Sequence, residues 1–94
     1  MRNILGEFVA VKIDSCEDAD GTYCDQKKEI TIEKKIKDKH RRNYVEIHEL
    51  VHAIFDRAGI CQGPNITIDI EEIIAHCIAT AFIENYDFKP KQVD

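Results

Sequence analysis

Two histidines and a glutamate, His48, Glu49 and His52, fall within the five residues 48–52. On a helix, side chains four apart share a face one turn from each other, so both imidazoles can offer a ring nitrogen to one ion. Glu49 lies about 100° round the helix from His48, beside the ion without pointing straight at it. That placement suits a base acting on metal-bound water, the chemistry of a zinc hydrolase. The competing assignment is a pair of solvated histidines on a surface helix.

A catalytic zinc takes three protein ligands and keeps one open position, so a third donor must come from elsewhere. Residues 67–86 offer Glu71, Glu72 and His76. Glu72 follows His52 by twenty positions and lies off the apolar stripe of its segment, as the two histidines do on theirs. It is the preferred third ligand. Glu71 sits nearer the centre of that stripe, where it could instead be a first-turn acid favoured by the helix dipole. Glu72 has a competing role as the far member of a capping box with Asp69. His76, one turn after Glu72, is either an outer partner of a metal ligand or a surface histidine. His40 belongs to a basic stretch and is expected to be solvated; Tyr44, one turn before His48, is expected to pack.

These side chains must be positioned by the elements around them. Residues 7–13 are β-branched and aromatic and predict a strand. Asp20-Gly21 is a turn signal, residues 22–25 can form a short strand, and residues 29–33 alternate with period two. A small antiparallel sheet is the expectation for this third of the chain. The period then changes. Val45, Ile47, Val51, Ile54 and Ala58 fall near one helical face, with Asp38 as a possible cap and Gly59 at the expected C-terminal glycine position. Cys61 to Asn65 reads as a loop around Gly63-Pro64. A second helix is expected from about Thr67 or Asp69 to about Tyr86, with Ile70, Ile73, Ile74, Cys77, Ile78, Ala81 and Phe82 as its apolar positions. Either Thr67 or Asp69 can cap it. Strands followed by two long helices predict an α+β fold over residues 1–94 as a single domain.

The 94 residues, 33% charged and 44% hydrophobic, suit one small globular domain. A core this small gains from a staple such as a metal ion. The net charge of −5 argues against a general nucleic-acid binder, and the basic residues between Lys27 and Arg42 read as a solvated face. No apolar run reaches membrane-spanning length and no signal peptide opens the chain, so a cytoplasmic location without membrane association is the expectation. The four cysteines, Cys16, Cys24, Cys61 and Cys77, form no CxxC. Cys77 is expected to be a buried small hydrophobe. Cys16 and Cys24 flank a turn, but a reducing cytosol favours free thiols over a disulfide.

The segments His48-Glu49-Leu50-Val51-His52-Ala53 and Glu71-Glu72-Ile73-Ile74-Ala75-His76 together resemble the gluzincin metallopeptidases. The nearer likeness is to small phage-type and ImmA/IrrE-like HExxH proteins, in which a hairpin with a stretch like Asp20-Gly21-Thr22-Tyr23-Cys24-Asp25 leads to the metal-binding helix. The resemblance covers about residues 8–88, and HExxH is its specific part. It implies a minimal zincin-like domain in which His48, His52 and Glu72 hold zinc and Glu49 activates the water. The interval from His52 to Glu72 is similar to that in thermolysin-like enzymes. There an acidic outer group follows the ligand glutamate by four residues, where this chain has His76. The family also implies a strand lying antiparallel to an extended substrate, for which residues 29–33 are the candidate. Larger relatives carry a further domain that supplies oxyanion-stabilising groups, for which 94 residues leave no room. Two functions are therefore expected. The first is a zinc-dependent, metallopeptidase-like hydrolase acting on polypeptide. The alternative is a weakly active or inactive zinc-stabilised regulator that docks on a protein partner.

Overall fold

The computed structural model describes residues 2–60 and 66–85. The elements are β1 (Arg2–Ile4), β2 (Glu7–Asp14), β3 (Gly21–Cys24), β4 (Glu29–Glu33), α1 (Lys39–Ala58) and α2 (Ile68–Asn85), an α+β fold. The Gly-Pro loop expected at 61–65 and the chain after Asn85 lie outside the described residues.

The first three residues of the sheet were not anticipated. Leu5 and Gly6 both take positive φ, 48° and 84°, and close a two-residue turn that pairs β1 with β2. The sheet order is β1-β2-β4-β3. It is mixed, not wholly antiparallel: β4 runs parallel to β2 on one side and antiparallel to β3 on the other. Alternation along residues 29–33 reports that one face is buried, and carries no information about which strand lies alongside. The connection through residues 15–20 takes the chain past the place that β4 later fills, so β4 returns between its two predecessors. Glu33 closes this junction: its carboxylate accepts the backbone N–H groups of Cys16 (2.8 Å) and Lys35 (2.9 Å).

One face of the sheet packs on α1 through Ile4, Val9, Ile30, Ile32, Val45 and Ala53. Gly21 allows the approach. A Cβ at that position would overlap the Val45 side chain and crowd the Thr31 carbonyl oxygen at 3.2 Å. Asp38 occupies the N-cap position of α1 without a side-chain capping bond, and Gly59 ends the helix in the left-handed region at φ 77°. The single apolar stripe expected for α1 is corrected: Val45, Glu49, Val51 and Ala53 are buried, whereas Ile54 and Ala58 are exposed. With the sheet on one side and α2 on another, α1 buries two faces.

The second helix departs further from expectation. It begins as anticipated, with Thr67 Oγ1 accepting the Ile70 N–H at 3.2 Å. It packs chiefly on α1, and the residues it buries are Glu71, Ala75 and Ala79. Of the bulky positions expected to form its buried stripe, Ile70, Ile73, Ile78 and Phe82 are exposed and Ile74 is half-buried, and Cys77 is exposed as well. Small side chains let the helix backbones come close. An isoleucine seam would hold α2 away from α1 and its carboxylates away from the histidines. Cys16 and Cys24 are free thiols, as expected. Among the described residues, no helix is long and apolar enough to cross a membrane.

Candidate metal centre

The HExxH turn of α1 faces the first turn of α2. His48 Nε2 lies 3.2 Å from Glu72 Oε1, and His52 Nε2 lies 3.3 Å from Glu72 Oε2. One donor atom from each of the three residues falls within 4.8 Å of the others, so the cluster could hold a metal ion. Tetrahedral ligands about 2.0–2.1 Å from an ion stand roughly 3.3 Å apart, close to the two imidazole–carboxylate separations, each made to a different Glu72 oxygen. The donor set of two imidazole nitrogens and a carboxylate oxygen is one that zinc accepts. Sequence spacing left Glu71, Glu72 and His76 open as the third donor; the side chain that meets both histidines is Glu72. No Asp69–Glu72 capping box forms, since Thr67 caps the helix.

Glu71 turns the other way, is buried, and accepts a hydrogen bond from His52 Nδ1. With its proton on Nδ1, His52 presents the Nε2 lone pair to the site. The position nearest the centre of the expected apolar stripe therefore holds an acid that bonds His52. His48 differs. Its Nδ1 meets Glu49 Oε2 at 3.3 Å. That hydrogen bond, outweighing the opposing effect of burial, raises the His48 pKa above the ordinary 6.5, and the Glu72 charge adds to the shift.

Among the described residues, no hydrogen bond or ion pair joins His76 to Glu72; its Nδ1 lies 2.6 Å from the Tyr44 hydroxyl. Tyr44 stacks on His48, with ring centroids 5.8 Å apart and planes 11° from parallel. The basic stretch is largely exposed, His40 included, as expected; within it Arg41 pairs with Asp20 and covers Tyr44, and Arg42 donates to the Ile36 carbonyl at 2.7 Å.

A cleft of about 680 Å³ opens beside the cluster, between β3 and the start of α2. Glu49, His52 and Glu72 line it, and Glu49 reaches it while only 8% exposed. The strand along its wall is β3, not residues 29–33 as expected. β4 is paired on both sides, so the sheet edge beside the cleft is β3, with β1 at the other edge. One further cleft residue, Asp56, went unmarked in the sequence. Asp56 accepts from the Tyr23 hydroxyl at 2.9 Å and from Lys28 Nζ at 3.0 Å. Lys28 is the leading cause that lowers the Asp56 pKa. Asp56 stands one turn after His52, so continuing the i, i+4 row from His48 would have marked it.

Comparison of the chain with protein-family models, with curated proteins and with solved structures returns no match.

Proposed function

We propose that this protein is a zinc-dependent, metallopeptidase-like hydrolase acting on polypeptide. The observation that carries the reading is the convergence of His48, His52 and Glu72 at ligand-to-ligand spacing on the wall of an open cleft. The likeness of the two motif segments to gluzincins, and to small ImmA/IrrE-like proteins in particular, points the same way. A zinc ion held by these three residues would act as a Lewis acid and bring the pKa of water toward neutrality. Glu49 is the base: it takes a proton from the attacking water and delivers it to the leaving amine. Its shielded position at the cleft wall limits competition from bulk water for that proton. An extended peptide binds by adding to the free edge of β3, with main-chain hydrogen bonds aligning it. A cytoplasmic setting accords with the free thiols.

The test is cleavage of a peptide library by zinc-loaded protein and by Glu49→Gln. Loss of the general base is expected to reduce turnover by about 10²–10⁴. Equal cleavage by the two proteins would overturn the hydrolase reading. The outward apolar face of α2 favours a second reading, a zinc-stabilised module that docks on a protein partner. In that case Glu49→Gln leaves function intact, and chelation unfolds the chain.

A further inference from the structure

The two histidines of the cluster are held by different means. His52 is fixed as ligating imidazoles usually are, with Nδ1 donating to the buried carboxylate of Glu71. His48 Nδ1 instead meets Glu49 in a long hydrogen bond of 3.3 Å. That carboxylate is also the base of the proposed hydrolysis. One carboxylate cannot hold the His48 ring and accept a proton from water through the same oxygen at the same time. A dedicated means of holding the His48 ring would release Glu49.

Such a means stands one turn away. The Tyr44 ring lies 11° from parallel to the His48 ring at 5.8 Å, within the range of offset stacking. The Tyr44 ring is also covered by the Arg41 guanidinium, 4.9 Å from the ring centroid, and Arg41 is anchored by Asp20. The Tyr44 hydroxyl crosses to α2 and meets His76 Nδ1 at 2.6 Å. His76 is one turn after Glu72, and Tyr44 is one turn before His48. The contact therefore joins the two helices one layer away from the layer in which His48 meets Glu72.

The geometry points to Tyr44 and His76 as a pair of positioning residues for the metal centre, an interhelical latch that fixes the His48 ring and leaves Glu49 free. The inference rests on the metal-site reading. It assigns to a tyrosine–histidine hydrogen bond the orienting task that a carboxylate performs for His52. Neither residue need touch the ion or the substrate.

Cobalt(II) is the probe, because its visible absorption reports coordination geometry and its affinity can be measured by competition with a chelator. The full chain is compared with Tyr44→Phe, His76→Ala and the double variant. Each single change is expected to weaken cobalt binding by about tenfold, the lower end for outer partners of metal ligands, and to shift the absorption band. The double variant should be no weaker than the worse single one, because both changes remove the same bond. The urea midpoint of the metal-free protein should stay constant across the set. Wild-type affinity and spectrum in both single variants would overturn the inference. So would additive losses in the double variant, or losses that follow the metal-free midpoint. Failure of the unsubstituted chain to bind cobalt would instead remove the metal centre itself, and the latch with it.

Discussion

The two sides of α1 are built on different principles. Toward the sheet it meets a dry core of Ile4, Val9, Ile30 and Ile32, closed by Val45 and Ala53. Toward α2 the seam is narrow and largely polar. Ala75 and Ala79 supply close contact, and around them lie His48, His52, Glu71, Glu72, Tyr44 and His76. One side holds the fold by removing apolar surface from water. The other brings donors together at a spacing that leaves room for an ion, and its polar groups contribute little net stability unless something binds them. Structure and site thus occupy adjacent faces of one helix.

Four substitutions or conditions would break or sharpen that contrast. The largest effect is expected on the dry side, where Ile30 is fully buried. Ile30→Ala should cost about 2–5 kcal/mol in urea unfolding. Next, zinc at a hundredfold excess over its dissociation constant should stabilise the chain by about 2.7 kcal/mol, a gain that Glu72→Gln abolishes; an equal gain in that variant would show the ion binding elsewhere. Third, Ala75→Leu overfills the α1–α2 seam and should cost about 1–3 kcal/mol, while also suppressing metal binding. The same exchange at an exposed position of α2, Ala81→Leu, should leave both within measurement error.

The smallest effects are set by pH. The backbone N–H groups of Cys16 and Lys35 hold the Glu33 carboxyl below the ordinary carboxylate range, and Lys28 does the same for Asp56. Both groups bind protons more weakly folded than unfolded. Their stabilising effect is therefore complete above the ordinary carboxylate pKa and is lost as pH falls through the lowered folded values. The urea midpoint of the metal-free protein should be flat near pH 6 and decline in acid, less steeply in Glu33→Gln. His48 has the opposite sign. Its raised pKa contributes stability below about 6.5 that fades as pH climbs through the folded value. A metal ion must displace that proton, so metal affinity should rise over the same interval.

Much of this was legible in the chain. HExxH marked His48, Glu49 and His52, and the twenty-residue interval favoured Glu72. Period two located residues 29–33, and Gly59 marked the end of α1. Other features were hidden for identifiable reasons. β1 is three residues long, too short for a periodic signal. The apolar stripe of α2 misled because hydrophobicity was read as burial, whereas close packing against α1 selected the alanines. Glu71, Tyr44 and His76 each had an ordinary explanation as single residues, and only their contacts assign them roles.

By itself the sequence determined what local chemistry can encode: donor types at helical spacing, helix termini, and the order of strands and helices. The tertiary structure decided the sheet order, the strand that edges the cleft, which carboxylate meets the imidazoles, and which side chain orients each of them. The division follows from distance along the chain. Residues four apart on a helix have their separation set by backbone geometry. Residues twenty or thirty apart meet only where packing brings their elements together, and here the small side chains of Ala75 and Ala79 permit that approach.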